Sequence, residues 1–206
     1  GLWMHIAVTQ QSSTATSAPI SIYVDGTLRA SGPTWCPAYA ARDNAWVGRA
    51  GYGAERRLRG RVADLRIHSI ARSQTDIQSA MKTPCLPNEF GLAYHFPLDE
   101  GGGTQARDAG QQSGVLTGPA DWQALPHKNY LAFDGSNTFV TIASPPSGLL
   151  PATLYPPITV EAWVLFSSRS GSTAIIDLGA GMGIDNLFLA SETTTTNLRL
   201  YTFRGS

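Results

Sequence analysis

Residues 61–108 read RVADLRIHSIARSQTDIQSAMKTPCLPNEFGLAYHFPLDEGGGTQARD. The stretch holds an ending followed by a beginning. Arg61 to His68 alternates as a strand, with Ala63, Leu65 and Ile67 expected on one face. Ser73 and Asp76 then stand three apart, as a capping box requires, ahead of Ile77, Ala80 and Met81. That spacing predicts a short helix over residues 73–81, which Pro84 stops. The next residues, KTPCLPNEFG, read as a linker. From Gly91 the pattern starts afresh with the strand LAYHFPL. A run rich in Gly, Gln and Asp follows, from Asp99 to Gly118, and reads as an ordered loop or a set of turns.

Working outward, both flanks are strand-rich. Upstream, Trp3 to Thr9 is strand-like and Gln10 to Ser17 reads as a loop. Ile20, Ile22 and Val24 alternate with Ser21 and Tyr23, and Asp25-Gly26 is a hairpin-turn signal. AWVGRA, residues 45–50, is another short strand. Downstream, residues 130–142 read as two strands joined at Asp134-Gly135. A Pro-rich loop from Ser144 to Pro157 follows, then the strands ITVEAWVLF, AIIDLG, NLFLAS and NLRLYTF. Ten to twelve short strands at regular spacing predict an all-β antiparallel sandwich with one short helix.

Composition narrows the function. Fifteen Lys and Arg balance fifteen Asp and Glu, so the net charge is zero. Phosphate binding needs a basic surplus, so nucleic acid is not an expected partner. No apolar run approaches the roughly 20 residues of a membrane span. The opening GLWMHIAVTQ has neither the basic region nor the cleavage site of a signal peptide. It also lacks an initiator Met, which is the expectation for an excerpt or a processed piece. Two cysteines are too few for a disulfide scaffold.

The segments W-x-H-I-A-V-T, I-Y-V-D-G-T-L, W-V-G-R and G-R-V-A-D-L-R-I-H-S-I-A-R-S-Q-T-D-I together resemble the second half of a laminin G-like, concanavalin A-like jelly roll. G-L-A-Y-H-F-P-L-D-E-G-G-G-T-Q-A-R-D, L-A-F-D-G-S-N-T-F-V-T-I, I-T-V-E-A-W-V and A-I-I-D-L-G resemble the first half. The resemblance implies a C-terminal half over residues 1–84, a linker over 85–90 and an N-terminal half over 91–206. Either the halves close on each other as a circular permutant, or each belongs to a different domain. Half a jelly roll leaves strand edges unpaired and cannot bury its core. Halves of different domains would therefore seek adjacent laminin G-like domains or self-associate head to tail. The family's strand between segments like NLRLYTF and GLWMHIAVT is missing here. That gap favours separate domains of a larger parent.

The chemistry weighed from the residues is spare. Glucan-cleaving enzymes of this fold set carboxylates at alternate positions of one strand, so that acid and nucleophile share a face. No E-x-D-x-x-E run occurs, and Glu161, Asp177 and Asp64 stand isolated. There is no G-x-S-x-G elbow. GAGMG, residues 179–183, opens no helix and reads as a tight loop. The four histidines are scattered without zinc spacing. The expectation is a chain without enzymatic activity.

Ca²⁺ collects oxygens from flexible turns. Asp108, Asp134, Asn137 and Asp99 lie in turn segments where related jelly rolls hold calcium, and the alternative is that each caps its own turn. Trp3, Trp46 and Trp163 fall on strands and are expected in the core. Trp35, Tyr39, Tyr52 and Trp122 fall in loops and are expected on an exposed ligand surface. Arg42, Arg49, Arg56, Arg57 and Arg59 give one region a positive bias suited to an acidic glycan or a carboxylate-bearing neighbour, a solvated loop being the alternative. Cys36 and Cys85 form a disulfide if the setting is oxidising, or two thiols if it is not. The resemblance implies an extracellular or cell-surface, non-enzymatic binding or structural module, part of a multi-domain adhesive or filament-forming protein. Its partner would be a glycan or an extracellular protein, without membrane insertion. The alternative is a lectin-type carbohydrate-binding module attached to a glycan-active enzyme.

Overall fold

A computed structural model describes residues 1–11, 17–35, 44–51, 57–103, 105–109, 115–117, 121–125, 128–143, 157–168, 173–179, 187–191 and 197–202. The upstream strands are β1 (Met4–Gln10), β2 (Ser17–Val24), β3 (Thr27–Trp35), β4 (Asn44–Val47) and β5 (Arg59–His68). Helix α1 (Gln74–Ala80) follows. The downstream strands are β6 (Leu92–Phe96), β7 (Gln105–Arg107), β8 (Val115–Thr117), β9 (Asp121–Leu125), β10 (Lys128–Asp134), β11 (Val140–Ala143), β12 (Ile158–Phe166), β13 (Thr173–Gly179), β14 (Leu187–Ser191) and β15 (Leu198–Thr202).

These strands form two antiparallel sheets, the architecture of a jelly-roll sandwich. Sheet A runs β3-β2-β1-β12-β5-β10-β9. β6 lies end to end with β10 along the same edge of β5, pairing with Leu65–His68 while β10 pairs with Arg59–Val62. Sheet B runs β15-β14-β13-β4-β11-β8-β7. Inward positions of both sheets meet in one apolar cluster that includes Ile6, Val8, Val62, Leu65, Phe96, Phe133, Val164, Ile176 and Leu189.

The strand order bears on the two-halves question. β12, from the downstream segment, lies between β1 and β5 from the upstream one. β4, from the upstream segment, lies between β11 and β13. The expectation that each segment would find its partner strands in another domain is corrected: they pair with each other. Burial favours this, because interleaving covers the alternating apolar faces of both segments. The sequence-distant strands β1 and β15 serve the same core, against which Leu198 and Leu200 also pack. A hydroxyl–hydroxyl bond of 3.0 Å joins Thr34 to Thr202 at that side of the sandwich.

Two glycines mark close approaches between the segments. Gly48 turns the chain after β4 at φ +80°, where a side chain would strike the Phe133 ring at 2.4 Å. A Cβ on Gly60 would stand 2.2 Å from the Leu165 carbonyl oxygen, so β5 lies against β12 only without one.

Locally, turn and cap chemistry act as read. Asp25 (φ +50°) and Gly26 (φ +69°) make the hairpin between β2 and β3. Ser73 caps α1, its side chain accepting from the Asp76 N–H while Asp76 reaches back to the Ser73 N–H. Three readings need correction. Asp64 (φ +54°) is the extra residue of a bulge opposite β12. The bulge throws Ala63 onto the face away from Leu65 and Ile67, and Val62 joins the core instead. The strands flanking Asp134-Gly135 do not pair with each other: β10 lies in sheet A and β11 in sheet B. The Gly-rich run after Asp99 contains the β7–β8 pair, and with β9 this raises the strand number above the ten to twelve expected.

Candidate functional site

The outer face of sheet A is polar and yet buried. Residues alternating with the core on β1, β12 and β5 point away from it: His5, Glu161, Arg66 and His68. All four are nearly solvent-free, Glu161 at 1 % and His68 at 0 % exposure. Residues 69–91, between adjacent strands β5 and β6, cover them. Ile77 of α1 packs on Ala7 and Tyr23. Arg72 enters from this strap. Its Nη1 donates to Glu161 Oε1 at 2.9 Å and lies 3.0 Å from His68 Nε2, while its Nη2 contacts Glu89 Oε1 at 2.7 Å. The Arg72 N–H donates to Thr159 Oγ1, whose hydroxyl donates to the Ile70 carbonyl. Arg66 holds Asp64 with two hydrogen bonds, of 3.0 and 2.8 Å, and donates to the Ala80 and Thr83 carbonyls of the strap. His95 donates to Asp64 at 2.9 Å. Trp163 stands edge-on to His5 at 5.3 Å.

Burial governs the protonation of this layer. Desolvation pushes the Glu161 carboxyl up to about 7, against the pull of Arg72 and Arg66. Desolvation drives His5 and His68 down to about 4, with Arg66 leading the added electrostatic effect at His5 and Arg72 at His68. Asp64 goes the other way. Against the upward push of burial, hydrogen bonds from His95 and Arg66 hold it down to about 2. Three buried polar atoms in the layer have no hydrogen-bond partner: His5 Nδ1, His68 Nδ1 and Glu161 Oε2. A guanidinium only donates, so His68 Nε2 accepts from Arg72, and the unpartnered Nδ1 carries the proton.

The outer face of sheet B is different in kind. Trp46 of β4 and Phe139, just before β11, are half-buried there. The Arg49 guanidinium lies 5.1 Å from the Trp46 ring and 4.8 Å from the Phe139 ring. Arg57 lies 5.4 Å from the same Phe139 ring, and its Nη1 is buried without a hydrogen-bond partner. Asp177 Oδ2 accepts from the Gly51 N–H at 2.7 Å, which fixes the chain where it passes over Trp46. A third feature is a cleft of ≈ 300 Å³ between the strand edges β3 and β15, lined by Ile20, Ile22, Thr34, Leu198 and Leu200 among others.

The residues singled out in sequence are distributed as follows. Asp134 caps its own turn: its Oδ1 accepts from the N–H groups of Ser136, Asn137 and Thr138 and from the Thr138 hydroxyl. These bonds, led by the one from Ser136, hold its carboxyl below the usual range. Asp108 Oδ1 accepts from the His95 N–H at 2.7 Å. Asn137 and Asp99 are exposed. Among the described residues no group of three or more His, Cys, Asp or Glu side chains gathers as a metal site. Trp35 ends β3 half-buried rather than open, with its Nε1 enclosed and unpartnered. Trp122 pairs through its backbone with Leu131, and its side chain lies outside the described residues. Tyr39, Tyr52, Cys36, Arg42, Arg56 and most of GAGMG also lie outside them. Cys85 is a thiol whose Sγ lies 3.5 Å from Glu89 Oε2. Burial pushes that thiol up to about 12.

Two expectations are overturned here. Trp3, Trp46 and Trp163 are all half-buried on outer faces rather than in the core, since their inward neighbours on each strand take those places. Trp3 instead meets the edge of Tyr130 at 5.8 Å. Nor are Glu161 and Asp64 isolated, or the histidines scattered: three of the four join one buried layer. A signal for that layer was present. Glu161 is the one charge in the apolar strand ITVEAWVLF, and His5 interrupts WMHIAV in the same way.

Comparison with known proteins places the first part of the chain. Residues 1–78 match a laminin G family model described as the concanavalin A-like lectin/glucanases superfamily. No curated protein and no solved structure matches the chain.

Proposed function

We propose that this chain is a non-enzymatic, extracellular binding module in which a jelly roll with its halves in permuted order closes on itself. Its ligand surface is the outer face of sheet B. One observation carries this reading: two guanidiniums, Arg49 and Arg57, share the Phe139 ring beside Trp46, and Arg57 Nη1 has no acceptor. A buried donor without a partner costs about 1–3 kcal/mol, so an acceptor arriving there recovers interaction energy. Guanidinium forks suit carboxylate and sulfate oxygens, and an indole face suits the C–H face of a sugar ring. The ligand class is therefore a glycan bearing carboxylate or sulfate groups.

The non-enzymatic reading rests on the other face. Glu161 is engaged by Arg72 beneath the strap and is not set across an open cleft from a second carboxylate. The superfamily match supports carbohydrate or protein binding in general.

A glycan array with neutral, carboxylated and sulfated sugars tests the proposal. Binding to acidic glycans, lost in both Arg49→Ala and Arg57→Gln and weakened by salt, is expected. Equal binding of neutral and acidic glycans, insensitive to both substitutions, contradicts it.

A further inference from the structure

Adjacent antiparallel strands usually join through a tight turn. β5 and β6 are instead joined by residues 69–91, which fold back across sheet A. Within α1 only Ile77 and Ala80 are buried. The rest of the attachment is polar: Gln78 Nε2 to the Gly26 carbonyl, Arg66 to the Ala80 and Thr83 carbonyls, and Arg72 to Thr159, His68 and Glu161. An element held by few apolar contacts opens at a lower free energy than the core beneath it. The unmade bonds of His5 Nδ1, His68 Nδ1 and Glu161 Oε2 further weaken the closed arrangement.

We infer that residues 69–91 are a proton-sensitive strap, which lifts off sheet A as a unit when the Arg72–His68–Glu161 clasp is disturbed and uncovers the face carrying His5, His68, Glu161 and Trp163. The groups facing the clasp come from every element around it. They are His5 on β1, Asp25 at the β2–β3 turn, Asp64, Arg66 and His68 on β5, Glu161 on β12, His95 on β6, and Arg72, Asp76, Cys85 and Glu89 on the strap.

The mechanism follows from which atoms can hold a proton. In the closed strap His68 Nε2 is an acceptor for Arg72. A proton added there sets one cation against another at 3.0 Å, while Glu89 Oε1, 3.5 Å away, competes for the new N–H. Acid therefore breaks the contact between strap and sheet. Base acts on the other partner. An ionised Glu161 is costly under the strap and is readily hydrated once the strap lifts. Opening is favoured on both sides of a window near neutrality, with the larger effect in acid, where His5 and His68 both gain protons.

Hydrogen exchange of the intact chain tests this, read as protection factors so that the intrinsic pH dependence is removed. Amides of α1 are expected to exchange at a lower free energy than those of β13 and β14 at every pH, and to lose about tenfold protection or more between pH 6.5 and 5. His68→Gln keeps an acceptor for Arg72 but cannot become charged, and should flatten the acid limb. Glu161→Gln should remove the decline above neutrality. Should either variant fail to fold, the wild-type comparison of α1 with β13 still decides. Exchange of α1 only together with the whole sandwich at every pH would overturn the inference. So would profiles unchanged in both variants.

Discussion

The two outer faces of the sandwich use arginine in opposite ways. On sheet A, Arg72 is drawn under the strap and spends its donors on Glu161, Glu89 and His68. On sheet B, Arg49 and Arg57 lie over aromatic rings at half-buried positions, and one buried Nη1 is left without an acceptor. An arginine whose acceptors are supplied by the chain is structural. One whose acceptor is missing is the candidate for a ligand contact. The same side chain on the same scaffold is thus assigned by its partners rather than by its charge.

The largest expected effect separates the faces directly. Arg72→Met strips the donor from Glu161 Oε1 and His68 Nε2 beneath the strap, and each hydrogen bond to a charged group lost there costs about 1.5–3 kcal/mol. Arg49→Met on the other face loses a cation–aromatic contact of about 0.5–1 kcal/mol. Urea denaturation of both variants should therefore show a several-fold difference in lost stability. Equal losses would erase the distinction.

The next effect is the pH dependence of global stability. Glu161 moves from 4.5 to about 7 on folding, so the folded chain holds the extra proton between those values, and this contribution falls as pH rises through them. His5 and His68 move from 6.5 to about 4, so the unfolded chain holds the extra protons, and stability falls as pH drops from 6.5 to 4. Two histidines oppose one carboxyl where the windows overlap. Stability should peak near pH 6.5 and fall on the acid side by about 1.4 kcal/mol per pH unit, one net proton. Glu161→Gln should steepen that limb to about two protons, and an unchanged slope would count against the buried layer.

Much of the fold was legible because local chemistry and global burial agree in it. The Asp25-Gly26 turn, the Ser73–Asp76 box and the alternation of Ile20 and Ile22 required no knowledge of distant strands. The bulge at Asp64 was not legible. Period-2 alternation across RVADLRIH assumes an unbroken register, and the extra residue is fixed by what β12 presents opposite it. The buried layer was missed for a related reason. Its members come from β1, β5, β12, β6 and the strap, and only the sheet order makes them neighbours. The aromatic–arginine surface was half legible: the positive bias of residues 42–59 was visible, but Phe139 joins it only because β11 lies beside β4.

Two smaller effects sharpen the picture. The Cys36–Cys85 pairing is tested by counting thiols in the unreduced, denatured chain: two are expected, since Cys85 stands as a thiol, and a count of none would establish the disulfide instead. Calcium is expected to act least, because Asp134 Oδ1 already accepts four hydrogen bonds. A site of millimolar affinity involving Asp99, Asp108, Asp134 and Asn137 would gain about 0.4 kcal/mol at millimolar calcium, a rise in Tm of roughly 1–2 °C over chelator. A Tm equal in chelator and calcium would remove these residues from consideration as ligands.

The binding role of sheet B is tested most directly by following backbone amide resonances while the chain is titrated with an acidic oligosaccharide. Saturable shifts are predicted for Trp46, Arg49, Arg57, Phe139 and their neighbours on β4 and β11, with the amides of the strap unmoved. Shifts confined to residues 69–91 and the face beneath them, or no saturable shifts at any concentration, would contradict the account.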